Sequence, residues 1–388
     1  MIKRLKVKNF RSLNDFEVEF GKFNVLIGRN NTGKSNIIDV LSFLNEGVKE
    51  DAAKILSKRG GHNEIVFGGN TTDNIEIKAE FEGEFFKDKF LLDYLLKLPA
   101  TIYPIEEKLE VQKNNGEGAI FPKPETHKSN FYWFGKGNKE FPIITEKSNI
   151  EEIKRKVEEA EKPTMQEYKM GINGSFFYTL LRNIHSYKII PHNIKPQYPE
   201  AFVEENMELD NDCKNLALFL LKLSQQNKRV FERITELLCG VVDEIEDISP
   251  RVSGKNVYLM IKDKNFDKYF YPESISDGVI SLLSYITIIE TANEHDIICF
   301  EEPENYIHAR MLEFIIDLMK RSNAQIIVTT HSLSFIDLCD PEDIIIVEKE
   351  KGETKARRIE NREEFKKILE ENGLTLGELY FSSELKNE

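Results

Sequence analysis

The run Gly28-Arg29-Asn30-Asn31-Thr32-Gly33-Lys34-Ser35 fits the pattern G-x-x-x-x-G-K-[ST]. Glycines at these positions let backbone N–H groups turn inward around phosphates, and a helix beginning near Lys34 adds its positive end. In such a cradle Asn30, Asn31, Thr32 and Gly33 supply backbone, Lys34 reaches the β- and γ-phosphates, and the Ser35 hydroxyl binds Mg²⁺. The spacing predicts a site for a nucleoside triphosphate. A mere glycine-rich turn would not also need an apolar strand before it and an amphipathic helix after it, and this sequence has both.

Two further constellations stand late in the chain. Ile297-Ile298-Cys299-Phe300 reads as a buried strand that ends in Glu301-Glu302. Ligands of open α/β sheets bind at that strand end, so Glu301 is the expected Mg²⁺ support and Glu302 the group that polarises an attacking water. Glu301 stands where aspartate is usual, and that leaves the division of roles between the two acids open. Strand Ile326–Val328 leads into Thr329-Thr330-His331-Ser332, where His331 can meet a γ-phosphate. Ser276-Asp277-Gly278 opens a helix; Ser276 is a natural N-cap, and the same helix end can also receive an anion.

These motifs need a scaffold that brings them together. Leu5 and Val7 alternate with Arg4, Lys6 and Lys8, and Phe16, Val18 and Phe20 repeat the alternation beyond a bend, which predicts two half-buried strands. Phe23–Ile27 is expected as a third strand, Ile65–Phe67 as a fourth and Ile75–Phe81 as a fifth. After residue 270, short apolar strands alternate with helices, the pattern of a parallel sheet covered on both faces. The expected fold is α/β: a mostly parallel core sheet with N-terminal antiparallel strands and a large mixed α+β and helical insertion. The boundaries fall at 1–81 for the first part, 82–269 for the insertion and 270–388 for the second part. Within the insertion, a charged helical run at 149–162 and helices around 216–223 and 230–238 are expected.

Composition limits the function classes. A chain of 388 residues with 40% hydrophobic and 31% charged residues can bury more than one core. Lys+Arg 53 against Asp+Glu 67 gives a formal net charge of −14, which disfavours indiscriminate binding to nucleic acid or acidic membranes. No window approaches the roughly 20 apolar residues of a membrane span, and no secretory leader is read at the start. Cys213, Cys239, Cys299 and Cys339 are widely spaced, without the pairing of a zinc or disulfide framework. A reduced, cytoplasmic protein is expected, with no membrane partner. Arg4, Lys6 and Lys8 share a strand face that suits phosphates or simply solvent, so DNA stays a candidate partner.

The order NFRSL, GRNNTGKS, SDG, FEEPE, THS resembles the ABC-type ATPase heads of the RecF/SMC class. More narrowly, it is similar to AAA-family ATP-binding proteins related to the heads of OLD (overcoming lysogenization defect) nucleases. The likeness covers about 1–81 and 270–350. It implies an ABC-type P-loop NTPase head that hydrolyses ATP with Mg²⁺ and closes head-to-tail as a homodimer or higher oligomer around two ATP molecules. Ser276 and Gly278 would then contact ATP held by the other copy's Lys34 loop, residues 303–308 would line the seam, and Arg11 would lie near the nucleotide. The glutamine common to such heads has no clear counterpart here; Gln112 and Gln166 lie in the insertion, and His62 is a weak substitute.

Other expectations follow from what surrounds these motifs. Residues 333–388 are too few for a nuclease domain of the Toprim kind, and Asp210-Asn211-Asp212 reads as a capping turn. The expected role is a motor or sensor in DNA maintenance or antiviral, foreign-DNA defence, acting on a separately encoded effector. An ATP-gated scaffold with little hydrolysis is the alternative. A transporter subunit is disfavoured by the NFRSL start and the single-glycine signature.

Overall fold

The computed structural model describes residues 1–70, 72–85, 88–99, 106–113, 118–121, 177–196, 198–199, 207–359 and 373–381, with 367 and 371. The expected helical run at 149–162, the aromatic cluster at 131–134 and Gln166 lie outside the described residues.

Three sheets organise these residues. Strands β1 (Ile2–Phe10), β2 (Leu13–Glu19), β4 (Ile75–Phe85), β5 (Asp88–Leu98), β6 (Glu106–Lys113) and β7 (Gly118–Phe121) form an antiparallel sheet in the order β2-β1-β4-β5-β6-β7. A second sheet runs β15-β14-β3-β13-β12-β8 and combines β3 (Phe23–Ile27), β8 (Ile184–Tyr187), β12 (Ile297–Glu301), β13 (Gln325–Thr330), β14 (Ile344–Glu350) and β15 (Glu353–Arg358). All neighbours in it are parallel except β14 and β15. The third sheet, β11-β10-β9, joins β9 (Ile245–Ser253), β10 (Asn256–Asp263) and β11 (Tyr269–Phe270). Residues from 82–269 thus extend the first sheet, add β8 to the edge of the parallel sheet, and build the third.

The parallel sheet is apolar on both sides because two cores meet on it. Val25, Ile27, Ile298, Phe300, Ile326 and Val328 pack toward helices Leu216–Gln226, Asp277–Glu290 and Ala309–Arg321. Their neighbours Leu26, Ile297, Cys299 and Ile327 face the opposite way, into a core shared with the antiparallel sheet and helix Lys34–Lys49. The strand period of two explains why continuous apolar runs, rather than alternating ones, mark these strands.

One expected strand is a correction. Ile65-Val66-Phe67 lies not in a strand but across a short helix, His62–Ile65, and a turn of 3-10 helix, Phe67–Gly69. Ile65 and Val66 are buried as an apolar run should be. Gly61 and Gly68, however, adopt left-handed φ of 97° and 59°, and the Phe67 N–H donates to Asn9 Oδ1 at 3.0 Å rather than to a ladder. No helix among the described residues is long and apolar enough to cross a membrane.

Gln325, fully enclosed at the start of β13, ties the two large sheets together. Its Oε1 accepts the Ile2 N–H at 2.8 Å, while its Nε2 donates to the carbonyls of Ile2 at 2.8 Å and Gly21 at 2.6 Å. Gln325→Leu keeps the volume but strands three backbone groups. We expect a loss of about 2–4 kcal/mol, read as a lower urea midpoint with an unchanged slope.

Candidate nucleotide site

Parallel β3, β13, β12 and β8 lie side by side in register, with Val25 opposite Val328, Val328 opposite Phe300 and Phe300 opposite Tyr187. Their carboxyl ends therefore open on one edge, and that edge collects the chemistry read from the sequence.

The loop Gly28–Gly33 leaves β3 and enters helix Lys34–Lys49. Gly33 has φ 104°, and a Cβ there would collide with the Thr354 hydroxyl on β15 and lie 2.7 Å from Ser12 Oγ. Only glycine fits. Among the described residues no side chain caps the helix at Gly33, so its N-terminus is left open toward the edge. Asn30 and Asn31 are exposed, Asn31 with φ 67°, whereas Thr32 is buried. The Lys34 ammonium folds back onto the loop, donating to the carbonyls of Gly28 at 2.6 Å and Arg29 at 3.0 Å. Burial lowers its pKa below the ordinary lysine value, and the charges of Glu302 and Glu304 pull it back upward.

A chain of hydroxyls locks this loop. Asn36 Nδ2 donates to Ser12 Oγ at 2.6 Å, Ser12 Oγ and Thr354 Oγ1 lie 2.6 Å apart, and Thr354 Oγ1 donates to the Thr32 carbonyl at 2.7 Å. Because Thr354 spends its hydrogen on Thr32, Ser12 is the donor between the two hydroxyls. Sequence reading missed Thr354: nothing local distinguishes a threonine whose place depends on the pairing of a distant edge strand.

Glu301 closes β12 beside the loop, with the Ser35 hydroxyl as a neighbour that favours its charged form. Burial raises the Glu301 pKa; Lys188 and the Ser35 hydroxyl oppose that rise, while Glu302 and Asp39 add to it. The donor set of one hydroxyl and one carboxylate is hard oxygen, as Mg²⁺ requires. No group of three or more His, Cys, Asp or Glu among the described residues could hold a metal alone. These residues therefore fit a Mg²⁺ ion that draws most of its ligands from phosphate and water.

Glu302 takes φ 49°, a sparsely populated conformation for a side-chain-bearing residue, and its N–H donates to the Thr329 carbonyl at 2.9 Å. Its Oε2 accepts from Asn305 Nδ2 at 3.1 Å, and its Oε1 lies 3.4 Å from His331 Nδ1. The structure adds Glu304, which sequence reading placed only on the seam. Its Oε1 accepts the Thr330 hydroxyl at 2.7 Å and the His331 N–H at 3.2 Å, so it fixes the end of β13.

Arg11, with φ 50°, sits in the turn between β1 and β2 and pairs with Asp39 of the loop helix at 2.6 Å. Arg59 holds the other oxygen of Asp39 at 2.9 Å and also grips Glu46. His62 lies on its short helix with both ring nitrogens buried and without hydrogen-bond partners among the described residues. Gln112 belongs to β6, in the antiparallel sheet. Arg4 pairs with Glu19 at 2.6 Å and Lys6 with Glu17 at 3.0 Å, so this strand face carries its own counter-charges.

Ser276 caps helix Asp277–Glu290, its Oγ accepting the Val279 N–H at 3.3 Å. Lys195, another residue the sequence did not single out, pins this turn through Asp277 at 2.5 Å and the Ile275 carbonyl at 2.7 Å. A Cβ on Gly278 would stand 2.8 Å from the Tyr306 carbonyl oxygen, so glycine here permits the turn after Glu302 to rest on the helix. Tyr306 itself is exposed, with φ 68°.

A phosphate loop, an acid-tipped strand and a histidine-tipped strand on one parallel edge define a P-loop ATPase head of the RecF/SMC/OLD class. Residues 23–337 match the family described as "AAA domain, putative AbiEii toxin, Type IV TA system", and the chain belongs to it. A relative named "OLD nuclease" from Thermus scotoductus is 21% identical over 368 residues, covering 91% of this chain and 63% of its own length. The chain thus spans less than two thirds of that protein. An "ATP/GTP phosphatase" from Helicobacter pylori is 22% identical over 361 residues, 88% of each chain. Among solved structures, an SMC head bound to the C-winged helix domain of ScpA shares the fold. It is 16% identical with a TM-score of 0.55, over 94% of this chain and 99% of its own.

Thr354→Val keeps shape and burial but removes both hydroxyl bonds that brace Gly33. We expect faster hydrogen–deuterium exchange across residues 29–34, by about tenfold, with exchange in β12 unchanged.

Proposed function

We propose that the protein is a Mg²⁺-dependent ATPase. The observation that carries this reading is the meeting of Lys34, Ser35, Glu301, Glu302 and His331 at one sheet edge, where the Ser35 hydroxyl favours the charged form of Glu301. Lys34 exchanges its bonds to the Gly28 and Arg29 carbonyls for the β- and γ-phosphates of ATP. Backbone from Asn30 to Gly33 and the uncapped helix end complete the cradle. Ser35 and Glu301 hold Mg²⁺, which when bound neutralises charge on the phosphate oxygens. Glu302 orients the attacking water and accepts its proton, and His331, held at its backbone by Glu304, contacts the γ-phosphate. Arg11 sits on Asp39 at the nucleotide side of the loop helix.

Residues 1–81 and 270–388 supply most of the head, and the stretch 82–269 inserted between them adds β8 to its parallel sheet. Two copies close head-to-tail around two ATP molecules, so that Ser276 and Gly278 of one meet the loop of the other. The exposed Ser276 at the helix tip and the exposed Tyr306, whose carbonyl lies against Gly278, support this reading. The relatives' names, a nuclease and a phosphatase, together with the SMC-type fold, support a motor or sensor in the cytoplasm. It would act in DNA maintenance or in defence against foreign DNA, through a separately encoded effector.

Lys34→Ala should abolish nucleotide binding, measured by titration calorimetry. Glu302→Gln should keep binding but slow phosphate release about a hundredfold or more. Wild-type turnover in Glu302→Gln alongside a dead Glu301→Gln would reverse the roles of the two acids.

Composite sites make a separate prediction. Ser276→Arg should spare binding but remove hydrolysis, and mixing it with Lys34→Ala should restore part of the activity, because one site in each mixed dimer stays intact. A mixture shown to contain mixed dimers yet lacking activity would count against action in trans.

A further inference from the structure

We infer that Lys188 is a second phosphate-binding cation of this site, one that reads the γ-phosphoryl group and so separates a nucleoside triphosphate from a diphosphate. The inference rests on the ATPase reading above. β8 pairs in parallel with β12 so that Tyr187 stands opposite Phe300. The next residues, Lys188 and Glu301, therefore leave the sheet side by side at its carboxyl edge. Tyr187 and Ile189 are buried on either side, and the Lys188 N–H donates to the Asn211 carbonyl at 2.9 Å, which fixes the backbone there. The side chain is exposed. Among the described residues its ammonium has no hydrogen bond or ion pair, although its charge acts on Glu301.

Charge balance gives this free ammonium a purpose. The edge carries three carboxylates, Glu301, Glu302 and Glu304, and its other lysine, Lys34, is enclosed by the loop that it braces. A triphosphate adds negative charge on its γ-group next to these acids. Holding these like charges together in a partly dehydrated site favours a further cation beside the Mg²⁺ that Ser35 and Glu301 would hold. Lysine suits this position because it carries a compact charge on a flexible stem, able to follow a terminal phosphoryl group. A diphosphate, held by the loop and Lys34, ends short of this position, so Lys188 contributes to one ligand and not to the other.

The test is titration calorimetry of the full chain with Mg²⁺ and either ADP or the β,γ-imido analogue of ATP. Lys188→Met should weaken the triphosphate analogue about tenfold or more, while ADP affinity stays within about twofold. Lys188→Arg should recover most of the lost affinity. Thermal melting of each variant reports on the fold separately, and this exposed position should leave it unchanged. Equal weakening of both ligands, or no weakening of either, overturns the assignment. Failure of the unmutated chain to bind either nucleotide overturns the ATPase reading itself, a result distinct from any loss confined to the variants.

Discussion

The bond from Thr354 to the Thr32 carbonyl is the interaction on which the site depends. A phosphate loop has little side-chain mass of its own, and its shape must be imposed from behind. Here the imposing groups are Asn36, next to the motif in the loop helix, and two from distant stretches: Ser12 in the first turn and Thr354 on the last strand of the chain's parallel sheet. Gly33 is compressed against two of them. The cradle is therefore completed only when β15 has paired with β14, more than three hundred residues after the motif begins. Local sequence makes the loop possible, and tertiary pairing makes it rigid.

Around that loop the acids are arranged by backbone as much as by side chain. Glu301 belongs to the strand, but Glu302 is bent out of it in a left-handed conformation, so that neighbours in sequence take different positions. Glu304 then returns to β13 and fixes Thr330 and the His331 backbone. The result is a pair of carboxylates on one imidazole nitrogen, at 3.4 and 3.7 Å. An acid pair after an apolar strand is common. What gives this one chemical content is the turn that separates its two members.

Much of this was legible in the sequence, for a physical reason. Gly28–Ser35, Glu301-Glu302, His331 and Ser276 owe their placement to short-range rules: a tight loop, a strand end, a helix cap. Their types and spacing survive being read without the fold. Ile65–Phe67 misled because three adjacent apolar residues look alike whether they line a strand or cover a core from a turn. Lys188 and β8 were hidden for another reason. A strand of four residues in the middle of an apparent insertion has no period to detect, and only its pairing with β12 shows where it ends. Thr354 and Lys195 likewise acquire their roles from register and contact, which no single window contains.

The contact of Gly278 with the Tyr306 carbonyl has a mechanical consequence. A helix of the length of Asp277–Glu290 is a stiff rod about 20 Å long, and the turn pressed on its tip carries Glu302 a few residues upstream. Both Glu302 and Tyr306 hold left-handed backbone, a conformation that persists only where the surrounding packing fixes it. A tilt of the rod, applied at its tip or through helices Lys228–Val241 and Ala309–Arg321 packed along it, would press on the turn that carries Glu302. A site sensitive to small changes in geometry is thereby connected to loads applied far from it.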